Sequence, residues 1–153
     1  FMARLMKNPE PRCRKSLYNF MEKEGLPVDS EGRVICYKSL NQDLKDWYSG
    51  TVQHKTGQTL YWGQRKEERK RHNLEFGVDC AGRGFHCGTH EYAKGFHSGE
   101  NIVCLVAVCP SDVISVPTEA SMGKIRVKKY RVLGLYKDDK PLSRNYFKGV
   151  NRS

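Results

Sequence analysis

"NIVCLVAVC" (residues 101–109) is the stretch of sequence that decides the fold. The run is almost continuously apolar, it is rich in β-branched valine and isoleucine, and it ends at a Pro-Ser-Asp turn. A short apolar run of this composition, bounded by turn residues, is typical of a strand that is covered on both faces. The sequence therefore predicts a buried strand here, with the rest of the domain built around it.

The stretch just before it, "GFHCGTHEYAKGF" (residues 84–96), combines signals for a strand, a turn and a helix. Gly84–Cys87 reads as a short strand, and Thr89 is a suitable N-cap for a helical turn that runs to Phe96. Tyr92 and Phe96, four residues apart, would share one face of that turn. We expect a corner in which a strand turns into a short helix.

The N-terminal part, "NPEPRCRKSLYNFMEKEGLP" (residues 8–27), predicts one amphipathic helix. Asn8 is placed as its N-cap with Pro9 in the first turn, and Gly25 ends it. Its apolar residues recur at helical spacing and would pack on a sheet. They are Cys13, Leu17, Phe20 and Met21.

Further strands are expected at Arg33–Lys38, at residues 58–62, before Pro117, and as one long strand over residues 123–136 that is half-exposed at its Lys-rich middle. This order of elements predicts an α+β fold with a mixed or antiparallel sheet. We expect a single domain over residues 1–136, followed by a polar, loosely held C-terminal tail over residues 137–153.

The charge balance calls for an anionic partner. The chain has 27 Lys and Arg against 17 Asp and Glu, a net charge of +10, with basic clusters at "RKEERKRH" (65–72) and "KIRVKKYR" (124–131). Such a surface attracts nucleic acid, nucleotides or phosphorylated metabolites. No signal peptide or membrane span is evident, so we expect a cytoplasmic protein with reduced cysteines.

A metal site is not predicted, although Cys80, His86, Cys87 and His90 lie close together in sequence. His86 and Cys87 are adjacent, so in a strand their side chains point to opposite faces. The sequence contains no Cys-x-x-Cys pair, and it also lacks the motifs of serine hydrolases, P-loop enzymes and zinc proteases. We predict no metal, no cofactor and no catalytic residue.

An enzyme remains an alternative, because the order of elements resembles that of the mono-ADP-ribosyltransferase-like fold. That resemblance implies that a first-strand residue, here Tyr37 or Lys38, and the strand with the Gly-Phe-His sequence would hold NAD. It also requires an acidic residue on a later strand, and only Asp112 and Glu119 are available, neither inside a predicted strand. We therefore favour binding over catalysis.

Five segments, taken together, resemble the C-terminal region of the phage rIIB (rapid-lysis) protein family. The resemblance runs from Asn8 to Gly134, and its last two segments are the most specific. The segments are "NPEP…LYNFMEKEGLPVDSEGRVICYKSL", "DWYSGTVQHKTGQTL", "GFHCGTHEYAKGF", "CPSDVISVP" and "KIRVKKYRVLG".

The resemblance implies a phage protein that is dispensable in ordinary hosts and is linked to lysis timing and to escape from host exclusion systems. We expect it to act in the cytoplasm of the infected bacterium. Compared with the full family protein, we expect the chain to be a stand-alone version or a fragment without the longer N-terminal region. Its "RKEERKRH" segment is basic where the family usually carries more acidic residues, which favours an anionic ligand.

These observations predict a non-enzymatic phage accessory protein that counteracts host defence by sequestering a phosphorylated, nucleotide-type signal. Candidate phosphate contacts are Lys38, Arg83, His86 and Arg126, and candidate base-stacking residues are Tyr37 and Tyr92. The alternatives are the NAD-dependent enzyme and a basic module that binds nucleic acid or protein through both Lys/Arg clusters. The sequence leaves open a homo-oligomer with the site between subunits.

Overall fold

The apolar run that begins at Ile102 forms an inner strand of an antiparallel sheet. A computed structural model describes residues 1–47, 49–62, 84–117 and 123–147. Within these ranges the helices are α1 (Met2–Leu5), α2 (Pro11–Glu24) and α3 (His90–Gly95), with a 3-10 turn at Pro110–Asp112. The strands are β1 (Val34–Leu40), β2 (Thr59–Tyr61), β3 (Phe85–Gly88), β4 (Ile102–Val108), β5 (Val113–Ser115), β6 (Lys124–Val127) and β7 (Lys129–Leu135).

The strand order is β2-β7-β4-β1-β3-β6-β5, and every pairing is antiparallel. The predicted α+β class is therefore confirmed. α2 packs beside β5, where the Cys13 thiol donates to the Val113 carbonyl at 3.2 Å, and α3 packs beside β1, where the Ser39 hydroxyl donates to the Phe96 carbonyl at 2.8 Å. The predicted corner is also present, because the Thr89 hydroxyl accepts from the Tyr92 amide at 3.1 Å and caps α3.

The sheet consists of two parts that meet at a narrow seam. In the long half (β2, β7, β4 and β1), β1 pairs with β4 along its whole length, from Val34 opposite Val108 to Leu40 opposite Ile102. The short half comprises β3, β6 and β5. Between the halves, β1 and β3 share one register pair, Tyr37 opposite Gly88.

The prediction of one long strand over residues 123–136 is wrong, because the chain leaves one half for the other at Lys128. The Lys128 amide donates to the Asp112 carbonyl at 2.9 Å, and its own carbonyl accepts from the Trp62 amide at 2.9 Å. β6 therefore pairs with β3 and β5, whereas β7 pairs with β2 and β4. The change of partners bends the chain and gives two strands.

The predicted helix start at Asn8 is also wrong, since Glu10 is the N-cap and Pro11 the first helical residue. Asn8 is buried, and its amide nitrogen donates to the carbonyls of Pro110 and Val113 at 2.9 Å each. Asn8 thus joins the N-terminal segment to the 3-10 turn and β5. The predicted end at Gly25 is confirmed, because Gly25 adopts the left-handed conformation (φ 67°) that commonly ends a helix.

The C-terminal segment lies against the domain through residue 144. The Leu142 amide donates to the Tyr37 hydroxyl at 2.8 Å, and Arg144 donates to the Glu22 carbonyl at 3.0 Å. These contacts reach back to β1 and α2. The division into a domain over residues 1–136 and a tail stays a prediction.

Candidate functional site

Three nitrogen-bearing side chains share one face of the short half. His86 on β3 lies directly opposite Arg126 on β6, and Lys124 lies opposite Gly88. Side chains at opposed positions, and at positions two apart on a strand, project from the same face of a sheet. The intervening residues, such as Phe85 and Ile125, are buried in the core on the other face. The cationic side chains therefore lie on the face of β3 and β6 opposite to Phe85 and Ile125.

Arg126 is the most deeply placed of these groups. Its side chain is completely buried, and its Nε donates to the hydroxyl of Ser115 at 2.8 Å, across from it on β5. A buried guanidinium keeps its charge. It therefore gives this part of the short half a fixed positive potential. The Lys-rich middle of residues 123–136 is more open, as expected from the sequence, since Lys128 is exposed and Lys129 is half-buried.

The protonation of His86 follows from its neighbour. Lys124 Nζ lies 3.3 Å from His86 Nδ1. An ammonium can only donate, so Nδ1 accepts, and the ring hydrogen of the neutral imidazole is on Nε2. Lys124 and His86 Nε2 therefore carry hydrogen-bond donors, and Arg126, which is completely buried, adds positive charge beside them. This combination suits a ligand rich in acceptor oxygens.

An aromatic ledge lies beside this cationic face. The rings of Tyr92 and Phe96 stack with centroids 6.1 Å apart at an angle of 27°, and Lys124 Nζ lies 6.0 Å from the centroid of Tyr92. The ledge borders an open groove of about 450 Å³. Lys23 and Glu24 of α2 form one wall, residues of α3 form the other, and Thr89 and Gly123 complete the lining.

Two glycines allow the strands to meet at this point. A Cβ on Gly88 would lie 1.9 Å from the Gly123 carbonyl oxygen, and a Cβ on Gly123 would lie 2.6 Å from the Thr89 hydroxyl. The Thr89 amide donates to the same Gly123 carbonyl at 2.8 Å. The close approach joins the end of β3 to the start of β6 and fixes the position of α3 beside the groove.

Lys38 lies on the opposite side of β3 from the His86 imidazole. It is buried, its Nζ donates to the His86 carbonyl at 2.8 Å, and its charge interacts with Cys87 and Asp46. Burial lowers its pKa. Lys38 therefore adds a hydrogen bond across the seam, where β1 and β3 share one register pair. This bond holds the backbone of His86 from the side opposite to its imidazole.

A sealed polar network continues from Lys38 through the interior. His54 Nδ1 donates to the Val52 carbonyl at 2.9 Å, so Nε2 accepts from the Tyr130 hydroxyl, 2.6 Å away. Burial, together with the charge of Lys38, lowers the pKa of His54 to about 4. Burial opposes ionisation of Asp46, but hydrogen bonds from Ser49 and Val52 outweigh it and lower the pKa of this carboxyl.

Tyr37 is placed away from the groove. Its ring is fully buried between His90 and Tyr136, with edge-to-face centroid distances of 5.2 and 5.3 Å. Burial raises the pKa of its hydroxyl, which accepts from the Leu142 amide, to about 12. Tyr37 is therefore a packing residue under the C-terminal segment in this conformation.

Of the six residues predicted to bind ligand, the structure brings His86, Arg126 and Tyr92 together, and Arg83 lies outside the described residues. Sequence reasoning missed Lys124 and Phe96. Lys124 had a signal, because it precedes Arg126 by two residues in a strand and so shares its face. Phe96 had the four-residue spacing from Tyr92 that places both rings on one side of α3.

Within the ranges that the structure describes, no three His, Cys, Asp or Glu side chains are grouped so that they could hold a metal ion. Cys80, one of the residues considered for such a site, is outside these ranges. None of the helices described has both the length and the apolar composition needed to span a membrane.

The fold and the site define a small α+β domain whose antiparallel sheet carries a cationic face beside an aromatic groove. A family model, "Bacteriophage T4 protein rIIB", matches residues 1–144, so the chain belongs to that family. This confirms the resemblance drawn from the sequence.

Protein rIIB of Enterobacteria phage T4 is 26% identical to this chain over 133 residues, which cover 87% of this chain and 41% of that protein. The chain thus spans about two-fifths of the length of this curated relative. No solved structure matches the chain significantly. The likeness to the ADP-ribosyltransferase fold therefore stays a prediction.

Proposed function

We propose that this phage accessory protein binds a phosphorylated, nucleotide-type small molecule in the groove between α2 and α3 and so withdraws a host defence signal in the cytoplasm of the infected cell. The observation that carries the proposal is the position of Lys124. Its Nζ lies 3.3 Å from His86 Nδ1 and 6.0 Å from the Tyr92 ring centroid, so one cation links the donor-rich face to the aromatic ledge.

The groove has the size and the polarity that such a ligand requires. A volume of about 450 Å³ is within the range of small-molecule sites. Stacking on Tyr92 and Phe96 suits a nucleobase, Lys124 and His86 carry donors that suit a phosphate, and the buried charge of Arg126 favours an anion nearby. Glu24 and Glu91 line the helical end, where they favour the N–H and O–H groups of a nucleoside over a phosphate. The ligand would therefore lie with its phosphate towards β6.

A thermal-shift screen tests the proposal. The probes are mononucleotides, cyclic dinucleotides, NAD and ADP-ribose, because together they vary the base, the number of phosphates and the linkage. We expect one of them to raise the Tm by several degrees, as a ligand does at a large excess over its Kd. The ligand should be recovered unchanged after incubation, since sequestration involves no turnover.

Two other outcomes would replace the proposal. Release of nicotinamide from NAD would show the enzymatic alternative. Retention of DNA that falls steeply with salt, with no shift from any small probe, would show a nucleic-acid module that uses the basic clusters.

A further inference from the structure

The segment after β7 crosses both helices that wall the groove. We call residues 137–147 the C-terminal strap. On α3, the His90 Nε2–H donates to the Asp138 carbonyl at 3.2 Å, and Lys94 Nζ lies 3.7 Å from Asp139 Oδ1. At β1, the Leu142 amide donates to the Tyr37 hydroxyl at 2.8 Å. The first part of the strap thus lies along α3 and covers the ring of Tyr37, which packs between His90 and Tyr136.

The far end of the strap is held by Arg144 at the C-terminus of α2. Its Nη2 donates to the Glu22 carbonyl at 3.0 Å and approaches the Met21 carbonyl at 3.5 Å. The last carbonyls of a helix lack partners within the helix and carry partial negative charge, so a cation is favoured there. Arg144 therefore acts as a charged cap on the C-terminus of α2.

Gly25 provides the space for this contact. A Cβ at Gly25 would lie 2.7 Å from Arg144 Nη2 and 2.8 Å from Arg144 Nε. Gly25, the left-handed residue that ends α2, therefore also leaves the space in which the guanidinium of Arg144 lies. This is a second observation, independent of the hydrogen bonds, that the end of α2 accommodates Arg144.

The anchored positions are the immediate neighbours of the groove. Arg144 binds the carbonyl of Glu22, which immediately precedes Lys23 and Glu24 of the groove wall. On α3, His90 and Lys94 flank Tyr92 in sequence. The strap therefore joins the two walls at their outer ends. Apart from Leu142 and Phe147, residues 137–147 are exposed, so the strap depends on a few polar contacts and not on apolar burial.

We propose that Arg144 is a positioning residue: by fastening the strap to α2, it sets the distance between α2 and α3 and thereby controls access to the groove and its affinity. This inference rests on the proposed function for its ligand. The mechanical part stands without one, because it concerns the coupling of Arg144 to α3. Release of Arg144 from α2 loosens the strap, and the contacts of the strap with α3 loosen with it.

Hydrogen exchange on the full chain tests the mechanical part. The reporters are the amides of Ala93 and Phe96, which donate to Thr89 and Tyr92 within α3. In Arg144→Gln we expect both to exchange at least about tenfold faster, a change of ~1.4 kcal/mol in local opening. Lys140→Gln is the control, because its described strap contacts use the backbone. Unchanged exchange in Arg144→Gln would overturn the inference.

Affinity for ADP-ribose and a cyclic dinucleotide, measured by calorimetry, tests the coupling to the groove. Arg144→Gln should weaken binding of the active probe about fivefold, while Arg144→Lys, which still donates to the carbonyls, should recover part of the loss. An equal affinity in all three proteins would also overturn the inference. If the amides of α3 exchange faster in Arg144→Gln but the wild-type protein binds neither probe, the positioning role of Arg144 is supported and the proposed function is contradicted.

Discussion

The two halves of the sheet use basic residues in opposite ways. In the long half, Lys38 is enclosed with Asp46, His54 and Tyr130 in a network that faces the core. In the short half, His86, Lys124 and Arg126 lie on the face of the sheet opposite to Phe85 and Ile125. Arg126 and Lys124 are buried there as well, but Lys124 follows Gly123, which lines the open groove, and its Nζ lies 6.0 Å from the ring centroid of Tyr92. Basic residues therefore join an interior network in the long half, whereas in the short half one of them lies beside an open groove.

The difference is matched by the amount of backbone pairing. β1 and β4 form a ladder of seven-residue strands, whereas β3 and β6 have four residues each and reach the long half through one register pair. Where strands pair over a long stretch and their side chains are buried, neither the backbone nor the side chains can move easily. The seam, where glycines take the place of side chains, is where α3 and the groove are positioned.

The largest expected effect is at the seam. In Gly88→Ala the new methyl carbon would lie 1.9 Å from the Gly123 carbonyl oxygen, so the backbone of β3 or β6 must move. We expect a loss of about 3 kcal/mol in the free energy of unfolding, measured with urea. Gly95→Ala is the matched control, because a Cβ there meets nothing within 4 Å. It should be neutral or stabilising by up to ~1 kcal/mol. Equal effects would contradict the tight seam.

A second expected effect is a pH dependence of stability that arises from the buried network of the long half. The pKa of His54 is lowered to about 4 in the folded protein, below the value of about 6.5 in the unfolded chain. Its contribution is therefore fully present above pH 6.5 and is lost as the pH falls towards 4, because the unfolded chain then binds the proton more strongly. The loss is about 3 kcal/mol at most.

Urea unfolding at several pH values between 7 and 4 measures the contribution of His54 to the free energy of unfolding. His54→Gln should show a flatter dependence than wild type over this range. A wild-type slope in His54→Gln would mean that other groups account for the acid sensitivity.

A smaller effect is expected at the helix that borders the groove. Thr89→Ala removes the hydroxyl that accepts from the Tyr92 amide, and loss of such a cap costs about 1 kcal/mol. Thr89→Ser keeps the hydroxyl and should restore most of the stability. Thermal unfolding provides the measurement. If the serine variant were as unstable as the alanine variant, the cap would not be what holds α3.

Local patterns predicted the elements whose causes are local. The apolar run at residues 101–109 predicted β4, and Thr89 as N-cap predicted the start of α3. Sequence could not predict the break at Lys128, because the alternation of residues runs through it and the break depends on the distant partners Asp112 and Trp62. The same holds for Asn8, whose partners Pro110 and Val113 are far away in the chain.

For the site, residue types were predictable and their placement was only partly so. His86 and Arg126 were named from the sequence, and antiparallel pairing places them opposite each other. Lys38 and Tyr37 were named as well, but the orientation of β1 and the path of the strap decide that one supports His86 from the core and the other packs under Leu142. Such facts depend on tertiary contacts that no local pattern contains.

The two halves offer a matched pair of lysines for the most direct test. Lys124 lies 6.0 Å from the ring centroid of Tyr92 in the short half, and Lys129 lies 5.5 Å from that of Tyr61 in the long half. Calorimetric titration with ADP-ribose and with a cyclic dinucleotide should show binding to wild type by one of them. Lys124→Gln should weaken it about tenfold, or ~1.4 kcal/mol, and Lys129→Gln less than twofold. Equal losses in the two variants, or no binding of either probe to wild type, would contradict a phosphate site on the short half.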